Sequence, residues 1–258
     1  MAGQVGRIAA GLRSCLVILW VALTCVLFSI PVFLVCPFSR SLGGRIGRLW
    51  CAHLLWICGG RISVKGTENI DRRKHYVFVA NHQSHLDIPT LFAAVPHRLV
   101  FIAKKELFYI PFFGWGIAAL GHINIDRSNA RRARESLTRA VKRLQHENIS
   151  PVLFPEGTRS ADGTVAEFKR GGFTLALESG LDIVPVSIDG TRIVLPKKSW
   201  HFGKGTVRIL IGKPINARAE GLQDKESLSR RTREAIIGMG LTEGSTAHAD
   251  SEDVLPDA

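Results

Sequence analysis

An uncharged apolar run near the N-terminus constrains the fold of this chain most. Residues 15–38 (CLVILWVALTCVLFSIPVFLVCPF) hold no charged side chain, and Arg13 and Arg40 bound them. About 20 apolar residues of α-helix are enough to cross a bilayer, so the run is long enough to span one. Basic residues follow it instead of a small-residue cleavage site, which disfavours a signal peptide. We therefore predict a retained membrane anchor.

The sequence leaves two arrangements of this anchor open. Pro31 lies inside the run, and proline removes a backbone donor and disfavours a regular helix. A second apolar stretch, residues 49–60, is too short to span but contains Trp50 and Trp56, a residue type that favours the membrane interface. Either one span is followed by an interfacial helix, or two helices enter a single leaflet.

The charge around the anchor predicts its orientation. Residues 1–75 carry ten Lys and Arg against two Asp and Glu, and most of these cations follow the apolar run. Positively charged flanks stay on the cytoplasmic side of a membrane. We expect the protein at the cell inner (cytoplasmic) membrane, with the rest of the chain on the cytoplasmic face.

Beyond the anchor, short apolar runs alternate with helical patterns. The runs occupy residues 76–80, 99–103, 152–154, 183–188 and 207–211. Runs that are apolar throughout are typical of strands buried on both faces of a sheet. We therefore predict an α/β fold with a mostly parallel sheet flanked by helices, preceded by an N-terminal helical membrane anchor. The predicted regions are an anchor over 1–60, an α/β domain over 61–240 and an acidic, disordered tail over 241–258.

The overall charge is compatible with three classes of partner. The chain has 34 Lys and Arg against 22 Asp and Glu, a net charge of +12, which suits nucleic acid, a membrane surface or an acidic substrate. The arginine-rich helical pattern over residues 129–148 is accompanied by neither an aromatic platform nor a known docking motif. We interpret it as a solvated helix face and predict no nucleic-acid partner.

The densest polar cluster, NHQSHLD at residues 81–87, follows the first of these predicted strands. His82 could act as a general base and Asp87 as the carboxylate that orients it. Five positions on a regular helix rotate by about 140°, so the pair can meet only if His82 lies in the strand-to-helix turn and Asp87 in the first helical turn. Two alternatives are a pair that merely caps a helix and a zinc or iron site built from His82, His85 and Asp87.

A second cluster, FPEGTRS at residues 154–160, follows another predicted strand. Pro155 and Gly157 shape a turn, and Arg159 offers a planar fork to a phosphate or a carboxylate. The alternative for Arg159 is a structural ion pair with Glu156. All five cysteines lie within residues 15–58, which leaves no catalytic thiol in the soluble part.

Together these clusters resemble the glycerolipid acyltransferase family, in particular its bacterial 1-acyl-glycerol-3-phosphate (lysophosphatidate) acyltransferases. The resemblance covers roughly residues 60–215, in which four blocks occur in order. They are NHQSHLD at 81–87, KKEL at 104–107 leading to GHINIDR at 121–127, FPEGTRS at 154–160, and VPV at 184–186.

The resemblance implies a role for each matching residue. His82 would be the general base, and Asp87 its partner. Lys105 and Arg159 would contact a substrate phosphate. The remaining substrate-binding positions lie in the acceptor-binding turn, at Glu156, Gly157 and Thr158.

The implied reaction is acyl transfer from acyl carrier protein or coenzyme A to the sn-2 hydroxyl of a lysophosphatidate, giving phosphatidate. It needs neither a metal nor another cofactor, and the partners are the thioester donor and a membrane lipid acceptor. The chain has neither a soluble cysteine nor a GxSxG motif around its serines, so direct transfer is favoured over an acyl-enzyme. The alternatives are another acceptor (a lysophospholipid or lyso-ornithine lipid), a metal-dependent lipid phosphatase or hydrolase, and a non-catalytic lipid-binding protein.

Overall fold

The computed structural model describes residues 2–125 and 130–240, so the predicted acidic tail lies outside the described residues. The strands in this part are β1 (Gly60–Lys65), β2 (Val77–Ala80), β3 (Leu99–Lys104), β4 (Ile123–Ile125), β5 (Ser150–Leu153), β6 (Ile183–Asp189) and β7 (Gly205–Ile211). The α-helices are α1 (Ala2–Val35), α2 (Arg40–Cys58), α3 (Asp87–Ala94), α4 (Phe113–Ala119), α5 (Ala130–His146), α6 (Phe173–Ser179), α7 (Thr191–Val194) and α8 (Lys225–Gly238). Short 3-10 turns lie at Thr67–Asn69, Lys105–Tyr109 and Arg170–Gly172.

The strands form one sheet in the order β1-β7-β6-β2-β5-β3-β4. Strands β6 and β7 pair antiparallel, and the other neighbours pair in parallel. The predicted α/β fold with a mostly parallel sheet is confirmed. Strands β1 and β4 were not predicted, because β1 carries charged residues at an edge of the sheet and β4 is only three residues long.

The sheet separates two apolar cores. In β2, Phe78 and Ala80 face one core, whereas Val77 and Val79 face the other, as the twofold alternation of a strand requires. The first core, here called the anchor face, contains buried residues of α2, α3 and α7 together with Val17 of α1. The second, the distal face, contains buried residues of α5, α6 and α8. The predicted anchor therefore packs directly on one face of the catalytic domain.

Helices α1 and α2 form an antiparallel hairpin. Near its open end, the Arg13 guanidinium donates to the Cys58 carbonyl at 3.4 Å. Farther along, the Trp20 indole donates to the His53 ring at 2.8 Å. The turn between the helices ends at Ser39, whose hydroxyl caps α2 by accepting from a backbone N–H. The anchor is thus a pair of packed helices, and α1 continues unbroken through Pro31.

One stripe of α1 faces away from the protein. Over Ile8–Val35 the helix is long and apolar enough to cross a membrane. Only 17% of the residues in its most apolar 18-residue segment are buried. Eight of its exposed large apolar side chains recur every three or four residues, so they share one helix face. They are Ile8, Leu12, Leu16, Leu19, Leu23, Leu27, Ile30 and Leu34, here called the α1 stripe.

Candidate active site

The polar side chains of the candidate site meet at the carboxyl ends of three adjacent strands. Strand β2 runs between β5 and β6, parallel to both. His82 follows β2, Glu156 follows β5, and Thr191 follows β6. Ligands collect at this edge of open parallel sheets, because the loops there converge on a crevice. The topology therefore assembles one site from segments that are far apart in the sequence.

The centre of the site is the pair of His82 and Asp87. The His82 ring nitrogen Nδ1 lies 2.7 Å from Asp87 Oδ2. His82 occupies the turn after β2 and Asp87 is the first residue of α3, the arrangement that the spacing requires. The contact commits Nδ1 to the carboxylate and directs the second nitrogen, Nε2, away from it. His82 keeps 17% of its side chain exposed, so the site remains accessible.

Asp87 is fully buried and surrounded by donors. Besides His82, its Oδ2 accepts from the backbone N–H groups of Gln83 at 2.6 Å and Ser84 at 2.9 Å. Its Oδ1 accepts from the Thr191 hydroxyl. A buried carboxylate with this many donors is held in one orientation. The pair thus has the construction of a general base with an orienting carboxylate, and Asp87 does more than cap a helix.

The FPEGTRS block holds His82 from three sides. The His82 ring stacks on Phe154, with the ring centres 4.3 Å apart. The His82 backbone N–H donates to Glu156 Oε1 at 2.7 Å, and its carbonyl accepts from the Ser160 N–H at 2.7 Å. Both main-chain groups and the ring face are therefore fixed, so the imidazole is preorganised before any substrate arrives.

Both carboxylate oxygens of Glu156 accept hydrogen bonds from backbone N–H groups. Its second oxygen accepts from the Ala166 N–H at 3.2 Å, and the side chain is buried. Burial raises the pKa of Glu156 above its ordinary value, although the N–H groups of His82 and Ala166 oppose that shift. The partners of Glu156 are thus two amides, and the predicted alternative of an ion pair with Arg159 is wrong.

The turn after Glu156 carries the basic side of the site. Gly157 has a φ of +71°, a conformation that favours glycine, and the Lys169 ammonium lies close beside it. Arg159 is partly buried and lies near His85. Burial lowers the pKa of the His85 imidazole, and the positive charge of Arg159 lowers it further. Cationic groups therefore converge around the mouth of the site, as an anionic substrate group would require.

The other predicted phosphate contact, Lys105, begins the short helix after β3. Strand β3 lies on the far side of β5 from β2, so its carboxyl end opens on the same edge of the sheet. The neighbouring Lys104 is exposed and pairs with Glu106 at 3.7 Å. Thr158 faces a different lysine, because Lys197 Nζ lies 3.5 Å from its hydroxyl.

Two residues of the site were not predicted from the sequence to have a functional role. Thr191, which binds Asp87, follows β6 in the short segment DGTR, and a polar residue just after a buried strand was the only signal. Asn81 was quoted within its block without a role. Its amide donates to the Ile188 carbonyl and accepts from the Ile188 N–H, which joins the end of β2 to β6.

Comparison with known proteins gives concordant matches. The Acyltransferase family profile matches residues 61–189. The 1-acyl-sn-glycerol-3-phosphate acyltransferase of Pseudomonas aeruginosa is 33% identical, over 75% of this chain and 76% of its own length. The human alpha form of that enzyme is 31% identical, over 75% and 68% respectively.

A solved structure and the plant relatives extend these matches. The crystal structure of the 1-acyl-sn-glycerophosphate (LPA) acyltransferase PlsC from Thermotoga maritima is 28% identical, with a TM-score of 0.80, and the match covers 93% of this chain and 99% of that one. The chloroplastic 1-acyl-sn-glycerol-3-phosphate acyltransferase LPAT1 of Arabidopsis thaliana is 34% identical over 77% of this chain. This chain spans 55% to 64% of the length of the plant relatives it matches.

Proposed function

This chain belongs to the Acyltransferase family, and on that premise we propose that it transfers an acyl chain from a thioester to the sn-2 hydroxyl of a 1-acyl-glycerol 3-phosphate. The products are phosphatidate and the free thiol of acyl carrier protein or coenzyme A. The observation that carries the proposal is the contact of 2.7 Å between His82 and a buried Asp87 at the carboxyl edge of the sheet. The names of the relatives supply the substrate class.

In the proposed mechanism, His82 Nε2 accepts the proton of the acceptor hydroxyl as its oxygen attacks the thioester carbonyl. Asp87 stabilises the imidazolium that forms, because its carboxylate already faces Nδ1. The tetrahedral intermediate then expels the thiolate, which takes up the proton. General-base catalysis contributes about 10²–10⁴-fold, so positioning must supply much of the remaining acceleration.

Positioning is assigned to the basic groups around the dyad. Arg159 and Lys105 would hold the phosphate of the acceptor, and the turn at Gly157 and Thr158 would line its path. An Arg fork binds phosphate oxygens in pairs and therefore fixes orientation as well as distance. Glu156 would act indirectly, through the His82 and Ala166 amides that it accepts from.

The metal-dependent hydrolase is disfavoured by the donors around Asp87. A metal ligand needs a free lone pair directed at the ion, whereas Oδ2 accepts from three groups and Oδ1 accepts from the Thr191 hydroxyl. His82 Nδ1 is committed to the same carboxylate. The hydrogen bonds that suit a general base therefore leave little room for an ion.

We also propose that the protein is held at the cytoplasmic face of a bilayer by the α1–α2 hairpin. Both ends of α1 contact the catalytic domain: Arg13 binds the Phe202 carbonyl, and Phe33 packs near Trp115. A helix crossing the bilayer could not touch one domain at both ends, so this geometry supports two helices in a single leaflet. A site at the interface spares a lysolipid about 0.8 kcal/mol per CH₂ of exposure to water.

The proposal is tested by assaying purified protein with acyl-CoA or acyl carrier protein and three acceptors: lysophosphatidate, glycerol 3-phosphate and lysophosphatidylethanolamine. We expect acylation of lysophosphatidate above the other two, in chelator as well as without it. His82→Ala should lower that rate by about 10²–10⁴-fold. Failure of lysophosphatidate as acceptor, or full activity in His82→Ala, would overturn the proposal.

A further inference from the structure

The segment between α7 and β7 has an unusual composition for a surface loop. Residues 190–207 contain four Lys and Arg and no Asp or Glu. Three of these cations, Lys197, Lys198 and Lys204, lie in residues 196–204 (PKKSWHFGK), here called the 196–204 loop. Trp200 at its centre is 73% exposed. A side chain this exposed gains little from burial when the domain folds.

The loop is attached to the N-terminal half of α1. Arg13 donates to the Phe202 carbonyl at 2.8 Å and to the Gly203 carbonyl at 3.5 Å. The Phe202 N–H donates to the Ser14 hydroxyl at 3.3 Å. Phe202 also packs against the core of the anchor face. The loop therefore packs beside the N-terminal half of α1, at the level where the α1 stripe begins, and lies on the same side of the sheet.

The other end of the loop reaches the candidate active site. The Ser84 hydroxyl, next to the dyad, donates to the Leu195 carbonyl at 2.7 Å. The Lys197 ammonium donates to the Arg159 carbonyl at 2.5 Å. One short segment thus connects the membrane-facing helix with the turn that carries the proposed phosphate contact.

We propose that the 196–204 loop is a second membrane contact, which inserts Trp200 among the headgroups of an anionic phospholipid bilayer and sets Lys198 and Lys204 against their phosphates. Tryptophan favours the interface, and each lysine near an anionic surface strengthens binding by about fivefold. Through Lys197 the same contact holds the turn of Arg159 at the level where a lysolipid phosphate lies. Only the part of this proposal that concerns the lysolipid acceptor rests on the proposed function.

Continuity with the α1 stripe favours a bilayer over an acidic carrier protein. Arg13 and Ser14 tie the loop to α1, between the exposed Leu12 and Leu16. A carrier protein seated on Trp200 would have to share that surface with the lipid around α1. Docking of the carrier protein on this loop would therefore contradict the proposal.

The first experiment measures the depth of Trp200. The wild type and Trp200→Phe are reconstituted in phosphatidylglycerol vesicles with plain or brominated acyl chains, and tryptophan emission is recorded. The emission of Trp200 is the difference between the wild type and Trp200→Phe. We expect brominated lipid to quench this emission. If this emission is instead quenched by aqueous iodide and not by brominated lipid, the loop lies in water and the proposal is wrong.

The second experiment separates docking from catalysis. Lys198→Glu/Lys204→Glu is compared with Lys142→Glu/Lys225→Glu, which reverses two exposed lysines on helices α5 and α8 of the distal face. We expect the loop variant to acylate lysophosphatidate at least about fivefold more slowly in phosphatidylglycerol vesicles. Its rate in neutral detergent micelles should match that of the wild type, and the distal-face variant should be unchanged in both.

Other outcomes of the second experiment contradict the proposal. An equal fall in vesicles and micelles would make the lysines part of the site. A fall with acyl carrier protein as donor, but not with acyl-CoA, would make the loop a docking surface for the carrier. If the wild type acylates no lysophosphatidate, the proposed function fails, while the quenching experiment still decides where the loop lies.

Discussion

At the scale of single residues, the site depends on one buried carboxylate that is fully satisfied. Asp87 receives hydrogen bonds from a ring, two backbone amides and a hydroxyl. Leaving a buried acceptor unpaired costs about 1–3 kcal/mol, so each donor helps to fix the position of the carboxylate. The orientation of His82 is therefore set partly by Thr191, which lies 104 positions from Asp87 in the chain.

Thr191→Val removes the hydroxyl that binds Asp87 and keeps the shape of the side chain. We expect kcat to fall about tenfold, the equivalent of about 1.4 kcal/mol in the barrier, with KM little changed, because the carboxylate is less well oriented. Thr191→Ser should restore most of the rate. The check is steady-state kinetics on all three proteins.

Thr232→Val is a matched control for that substitution. Thr232 is also fully buried, but its hydroxyl donates to the Leu228 carbonyl within α8 on the distal face. We expect Thr232→Val to lower stability without lowering kcat. Equal kinetic losses in both variants would show that Thr191 acts through general stability instead of through Asp87.

Glu156→Gln tests whether Glu156 positions His82 or touches substrate. The substituted amide has one oxygen for two N–H donors, so one of the bonds to His82 and Ala166 is lost. We expect kcat to fall about tenfold and KM to stay within about twofold. Glu167→Gln, in the same loop but exposed, should change neither. A rise in KM at constant kcat would instead indicate direct substrate contact.

The sequence was sufficient to find the dyad but not its supports. His82 and Asp87 lie five positions apart and their meeting follows from one strand-to-helix turn. The contacts of Thr191 and Glu156 depend on β5 and β6 flanking β2, an order that strand patterns alone do not fix. Polar residues that follow buried strands predict that one end of the sheet is rich in polar groups. Which of these groups contact each other depends on the order of the strands in the sheet.

At the scale of elements, a small ionic network joins the anchor to the distal side. Glu147, just after α5, accepts from Arg143 at 2.9 Å and from Arg40 of α2 at 3.2 Å, and it lies 3.5 Å from Arg98. The bond from Arg143 and the charges around it hold the pKa of Glu147 below its ordinary value. This contact between α2 and the end of α5 passes the amino-terminal ends of β3 and β5, so it could not be predicted from either helix alone.

Glu147→Gln should lower thermal stability in detergent, and only where the carboxylate is ionised. A depressed pKa contributes stability that is present above the unfolded value near 4.5 and is lost as pH falls through the lower folded value. We expect a loss of about 1 kcal/mol at pH 7 that shrinks below pH 4.5. Thermal unfolding at several pH values is the measurement.

Glu135→Gln supplies the comparison for the network. Glu135 pairs only with Arg131 among the ion pairs of the described residues, at 3.1 Å on an exposed helix face. Such pairs contribute about 0.3–0.5 kcal/mol, so its loss should be smaller at every pH. If the two variants were equally stable, the three arginines around Glu147 would not act as a network.

At the scale of the whole molecule, the sheet separates the two N-terminal helices from the arginine-rich α5. The anchor face meets α1 and α2, while the amphipathic α5 covers the distal face. This division explains why the excess of cations in residues 1–75 is compatible with a solvated, arginine-rich α5: the two sets lie on different elements with different surroundings. The net charge of +12 alone could not distinguish them.

The two arrangements of the anchor predict opposite locations for the N-terminus. A spanning α1 would place it across the membrane from the catalytic domain. The hairpin instead keeps Arg13 on the Phe202 carbonyl, so the N-terminal half of α1 stays beside the domain. We therefore expect an N-terminal epitope tag to be digested by protease in sealed, inverted inner-membrane vesicles, together with a tag placed after Ala258. Protection of the N-terminal tag alone would require α1 to leave the domain and cross the bilayer, because a crossing helix cannot retain the contacts of both Arg13 and Phe33.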